Sequence, residues 1–301
     1  MAKKGSKSDS GRGEHELSDV DLERLRVALE SEHVDPRQRL YERHSLTWRI
    51  NREAVLLFGG GRALLLQVAH PLVAAGVAQH SDFRCDPLRR LQRTLDLMLT
   101  ISFADAASAL RAVQQIEKAH KRVKGMLSED AGPFPKGTRY DANDPELLLW
   151  VHATLVDTSL LVYERFVEQL TPRERATYYE ESKRGGRLLG VPADLLPETL
   201  ADFEDYMHEM CRGDTLAVSR EGKEVAAAVL WPRRPIGVRY AMAVPNVVTF
   251  DLLPRVVRER YGFSASPQLR LMAQGLALVS RQTLPLLPSF LRTMPLARGA
   301  A

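Results

Sequence analysis

Thiols are scarce in this chain, since Cys85 and Cys211 are its only cysteines in 301 residues. They share no CxxC spacing, and two thiols cannot build a disulfide framework or a structural zinc site. A reducing compartment is the default for such a chain, which reads as cytoplasmic. Charge of one sign is also lacking. The formal net charge of +4 is dispersed and no basic run is interleaved with aromatics, which argues against nucleic acid as a partner. No segment alternates apolar and polar residues as a half-buried strand would, no repeat has a fixed period, and no low-complexity linker divides the chain. The standard motifs of hydrolysis and nucleotide binding are missing as well: no GxSxG elbow, no HExxH, no Walker loop, and no Glu-x-x-His pair of a di-iron bundle. One glycine cluster, Gly59-Gly60-Gly61, lacks GxGxxG spacing and follows no β-branched strand, so a dinucleotide fold is rejected.

What is present is helical patterning. Residues 49–58 form one candidate helix, and residues 62–80 are apolar on nearly all sides but carry Pro71, which should kink or break the helix at His70, giving a buried kinked helix. Residues 86–103 open with an acidic cap and a proline in the first turn. In the next segment Val113, Ile116, His120 and Val123 recur at helical spacing before Gly125 supplies a stop, so His120 is expected to face inward. Asp144-Pro145 starts the longest apolar run. His152 and Asp157 at its centre would be costly in a bilayer, so a buried central helix is expected. Thr171, Pro172 and Glu174 make a capping box for a helix that Gly185-Gly186 should end. Further helices are readable at about 194–211, 215–230, 238–253 and 266–282. Together these predict an all-α fold: a disordered lead over residues 1–16, with no signal-peptide apolar stretch, then one large helical domain over 17–301 built around buried apolar helices.

The excess positive charge sits mainly in the tail. Residues 253–301 carry seven Arg against the single Glu259. That balance could suit peripheral contact with a phospholipid surface, but the arginines are spread out, and a solvated helical face is the preferred reading.

Two histidines, His120 and His152, fall on apolar faces. A buried imidazole either hydrogen-bonds both nitrogens or gives one to a metal or haem. A satisfied core histidine is the commoner outcome. Arg90, also on an apolar face, needs an anion: a carboxylate such as Asp86 or Asp96, a phosphate, or a haem propionate.

The string RINREAVLLFGGGRALLLQVAHPLVAAGVAQHSDFRCDPLRRLQRT resembles the opening of the family that holds the latex-clearing rubber oxygenases and the endoplasmic-reticulum-bound oxygenase MpaB. HKRVKG, YDANDPELLLWVHATLVDTSLLVYERF, YYEESKRGGRLLGVP and LLPRVVRERYG are similar to its later blocks, and the resemblance runs from about Trp48 to Arg298. It implies an all-helical fold and, for the rubber-cleaving members, a haem b whose iron activates dioxygen to cleave a carbon–carbon double bond. His120, in HxxVxG, matches the proximal iron ligand. Arg90 and Thr94, in RxxxT, match a pair beside the haem. Arg93 stands where latex-clearing enzymes can carry a distal lysine ligand. Arginine departs from that pattern, because a guanidinium stays protonated and has no lone pair to give. His152, in WVHATL, is implied to line the pocket, and His70 beside Pro71 falls in a family motif with a helix-break role. The resemblance thus implies an oxidoreductase with haem b, dioxygen and an apolar or unsaturated small molecule as partners, with Arg93, Thr94 and His152 as candidate catalytic residues. The alternative from another class is a haem-free helical protein that binds a lipid-like ligand without catalysis.

Overall fold

Helix caps punctuate the computed structural model, which describes residues 39–81, 87–232, 236–264 and 266–299; of 87–91, 236, 238–239 and 299 it describes the backbone alone. The lead over residues 1–16 lies outside these. The described residues are predominantly helical, with one small two-stranded sheet.

Ser45 caps α1 (Leu46–Asn51), and a 3-10 segment (Ala54–Gly59) runs into α2 (Gly60–Ala69). The expected single helix over 49–58 is therefore two pieces. The expected break at His70 is present: α2 and α3 (Pro71–His80) meet at 105° when taken with the 3-10 segment. Pro71 has no N–H to continue α2, and His70 serves both helices, its Nδ1 accepting the Leu72 N–H at 3.3 Å. Next comes α4 (Pro87–Phe103), then Asp105, which caps α5 (Ala106–His120) by accepting the Ser108 N–H at 2.9 Å. β1 (Lys124–Met126) pairs antiparallel with β2 (Arg139–Asp141), two short strands that the sequence pattern did not signal. Asp144 starts α6 (Pro145–Phe166), and Thr171 with Glu174 forms the expected capping box on α7 (Pro172–Leu188). Gly185-Gly186 does not end α7; the helix passes through both and stops before Gly190, whose φ of 102° suits glycine. α8 (Leu200–Arg212), α9 (Arg220–Leu230), α10 (Ile236–Ala241), α11 (Ala243–Leu252), α12 (Arg255–Arg260) and α13 (Pro267–Thr283) follow, and α14 (Ser289–Arg292) and α15 (Pro295–Gly299) finish the described chain.

The core wraps α6. Trp150, Ala153 and Tyr163 on that helix are buried with Leu65 and Leu66 of α2, Tyr178 of α7 and Phe203 of α8. α6 is the one unbroken described helix long and apolar enough to cross a bilayer, and its most apolar stretch is mostly buried inside the fold. Arg62 of α2 lies in the same interior, 3% exposed, with every guanidinium nitrogen used: 2.7 Å from Asp157 Oδ2, 2.6 Å to Thr158 Oγ1 and 2.8 Å to the Leu252 carbonyl.

Glycine at 59–61 serves packing. A Cβ on Gly59 would meet Thr158 and Val162 of α6 at 2.7 Å, and one on Gly61 would collide with the Thr249 hydroxyl of α11. α9 comes just as close, since a Cβ on Gly222 would stand 2.6 Å from the Val68 carbonyl oxygen. That obstacle is helix backbone and cannot rotate away, so Gly222→Ala is expected to lower stability by about 1–3 kcal/mol, measured by thermal or urea unfolding. An unchanged melting temperature would refute this packing.

Candidate functional site

α4 and α5 form a hairpin joined only through Ala104 and Asp105. A link this short makes the helices antiparallel neighbours. Arg90 and His120 lie at nearly equal distances along them from the turn, so Arg90, Arg93, Thr94 and His120 share one end of the hairpin. The other end is anchored: Ile101, Leu110 and Val113 pack with Leu40, Tyr41 and Leu188.

His120 is the last residue of α5, because the helix ends there and not at Gly125. The chain turns at once, the His120 carbonyl accepting the Val123 N–H at 2.8 Å. The stripe of apolar residues accordingly loosens toward this end: Val113 is buried, whereas Ile116 and His120 are half-buried. Burial depresses the His120 pKa below the ordinary imidazole value, while the Asp141 and Glu117 carboxylates oppose it. Arg93 and Thr94 are exposed on α4, and the expected burial of the Arg90 guanidinium against an anion lies outside the described side chains.

The glycine of HxxVxG has a steric reason. A Cβ on Gly125 would meet the Tyr140 hydroxyl at 2.5 Å, so β1 can lie against that ring only with glycine there. Tyr140 in turn leads a polar chain that sequence reasoning missed. Its hydroxyl contacts His80 Nε2 at 3.1 Å and donates to Gln79 Oε1 at 2.8 Å. Gln79 Nε2 donates to Glu221 Oε1, which also accepts from Ser128 Oγ, both at 3.3 Å. Three helix and strand segments and a loop contribute, so no sequence spacing could have signalled it.

His152 sits elsewhere, in the seam between α6 and α7. It is 9% exposed, and burial depresses its pKa to about 4 against an opposing backbone hydrogen bond at Ser182. Its Nε2 is buried without a hydrogen-bond partner. A Cβ on Gly186 would lie 3.0 Å from that nitrogen, and one on Gly185 would press on the Tyr41 hydroxyl. Thus α7 backbone closes over the ring. His152 is not brought beside His120; Tyr41 stands next to both Gly185 and the α5 packing layer, linking the two regions.

Among the described residues no group of three His, Cys, Asp or Glu side chains could hold a metal ion unaided. A haem asks the protein for as little as one axial nitrogen, its macrocycle supplying four others, and a half-buried imidazole biased toward neutrality is the right donor. The residues present therefore fit a haem at His120. A separate open depression of about 490 Å³ is lined by Gly132, Pro133, Asp214, Ala217 and Arg260. Arg260 is spent there on the Cys211, Arg212 and Leu216 carbonyls, leaving no comparable donor.

Comparison with known proteins defines the class. The family described as ER-bound oxygenase mpaB/B'/rubber oxygenase, catalytic domain, matches residues 47–282, and the chain belongs to it. Uncharacterized proteins of Mycobacterium bovis and of Mycobacterium tuberculosis are each 27% identical over 188 residues, covering 58% of this chain and 68% of theirs. No solved structure matches the chain.

Proposed function

We propose that the chain is a haem b-dependent oxygenase acting on an apolar or unsaturated small molecule with dioxygen as co-substrate, its domain spanning residues 17–301. The observation that carries this reading is the half-buried imidazole at the end of α5, lying at the same end of a hairpin as the RxxxT residues of α4 in a chain of the oxygenase family. A bound haem would supply an iron that activates dioxygen for attack on a carbon–carbon double bond. His120 would hold the iron through its imidazole, on a helix whose other end is locked in the core. Arg90 is the cation for the propionates, because an always-protonated guanidinium pairs well with carboxylates. Thr94 lies one turn further along α4 and can offer a hydroxyl hydrogen bond on the same side. Arg93 cannot replace a ligating lysine, so beside a bound haem it would act as a cation that orients polar groups. His152, kept neutral by burial, shapes the pocket wall through α7 and Tyr41 without touching iron.

Purification from haem-supplemented growth tests the reading. A Soret band that co-elutes with the protein is expected. Protein that retains no haem under those conditions overturns it in favour of the haem-free binding of a lipid-like ligand.

A further inference from the structure

The tail helices turn large apolar side chains to the outside. On α13, Ala273 and Ala277 are buried and Ser280 Oγ donates to the Phe166 carbonyl at 3.0 Å, which fixes the inner face. At helical spacing on the opposite side stand Leu271, Met272, Leu278 and Val279, 55–70% exposed. The turn that follows leaves Leu286 81% exposed, and Phe290 on α14 is 58% exposed. Monomeric soluble proteins seldom leave so extended an apolar surface to water.

Its charge selects the occupant. Seven arginines and one acidic residue, Glu259, occupy residues 253–301. Arg270 and Arg281 lie three turns apart on one flank of α13, beside the apolar strip. Arg281 donates from Nε and Nη2 to the Arg165 and Glu164 carbonyls, which fixes its position while its Nη1 stays on the exposed side with no carboxylate beside it among the described residues. Among the described residues of this tail, only Arg292, on Glu53, and Arg255, on Glu259, have a carboxylate within 2.8 Å. A second copy of the chain would bring two such cationic faces together, which like-charge repulsion opposes.

We infer that the outer face of α13 and the 284–291 turn form a peripheral docking surface for an anionic phospholipid bilayer. Leu271, Leu278, Leu286 and Phe290 enter the acyl boundary while Arg270 and Arg281 meet headgroup phosphates. The inference does not depend on haem.

Co-sedimentation of the full chain with vesicles of phosphatidylcholine, with or without about one-third phosphatidylglycerol, tests it. The chain is expected to pellet with the anionic vesicles and to release several-fold as sodium chloride rises from about 0.1 to about 0.5 M. The double variant L286D/F290D is expected to lose binding at least ~10-fold while its circular dichroism and melting temperature are unchanged, both side chains being exposed. Arg270→Gln should weaken binding about fivefold. Wild-type protein that stays in the supernatant, or L286D/F290D that pellets as wild type does, overturns the inference. So does a solution dimer that L286D/F290D disperses, or a cross-link from residues 1–38 onto this face, since either assigns the surface to protein.

Discussion

His120→Ala is expected to emerge from haem-supplemented growth with no Soret band, whereas His152→Ala retains one. Both residues are histidines on long helices in family motifs, and they differ in what surrounds the ring. His120 ends α5, is half-buried, and lies beside the polar start of α4. An approaching macrocycle meets side chains there, and side chains can move. His152 carries an unpartnered Nε2, but α7 stands so close that a Cβ at Gly186 would lie 3.0 Å away. Giving that nitrogen to iron would require α7 to leave its place in the core, with loss of packing at Tyr178, Tyr179 and Leu188. His152→Ala should instead shift the spectrum or the activity through the pocket wall. Haem content per chain and far-UV circular dichroism, measured on both variants, separate loss of the ligand from loss of fold. Haem lost from folded His152→Ala and kept in folded His120→Ala would move the ligand to α6.

Acidification from pH 6.5 to 4 is expected to remove several kcal/mol of stability, because His70 and His152 are both buried in the neutral form. Desolvation takes each from 6.5 to about 4, with the Asp144 carboxylate opposing it at His70 and the Ser182 backbone opposing it at His152. Above 6.5 neither state binds these protons, and stability is at its full value. Between 6.5 and 4 the unfolded chain takes up protons that the folded chain refuses, so stability falls as pH falls. Below about 4 the folded rings titrate too and the loss levels off. At about 1.4 kcal/mol per pKa unit, each histidine accounts for roughly 3 kcal/mol, a large share of an ordinary domain's stability. The capping carboxylate Glu174, held from its ordinary 4.5 to about 2 by its hydrogen bonds and by Arg49, adds its own loss of stability as pH falls below about 5, so the histidines are read alone between 6.5 and 5. Melting temperature recorded across this range tests the sign. His70→Asn keeps a side-chain acceptor for the Leu72 N–H and removes one titration, so it should flatten the curve by about half. A melting temperature that is flat from pH 6.5 to 4.5 would refute the neutral burial of both rings.

The sequence by itself determined the features that local chemistry controls. The all-α class, the break at His70-Pro71, the Asp144 start of α6 and the Thr171–Glu174 capping box all depend on residues within one turn of each other. The family, too, is carried by contiguous motifs such as HKRVKG and WVHATL. Tertiary structure decided what depends on distant neighbours. Gly185-Gly186 reads as a helix stop, yet those glycines lie inside α7, because Tyr41 and His152 need the space their missing side chains leave. His120 reads as a mid-helix core residue, yet β1 and β2 claim the residues after it and leave its ring at the edge. Arg62 carries no motif, but its three partners come from α6 and the end of α11, which only folding brings to α2. The basic tail reads as a solvated helix because its arginines are spread out. Its outer face proves apolar, since Ala273 and Ala277 were small enough to take the inward side and Leu271 and Leu278 were left to the outside.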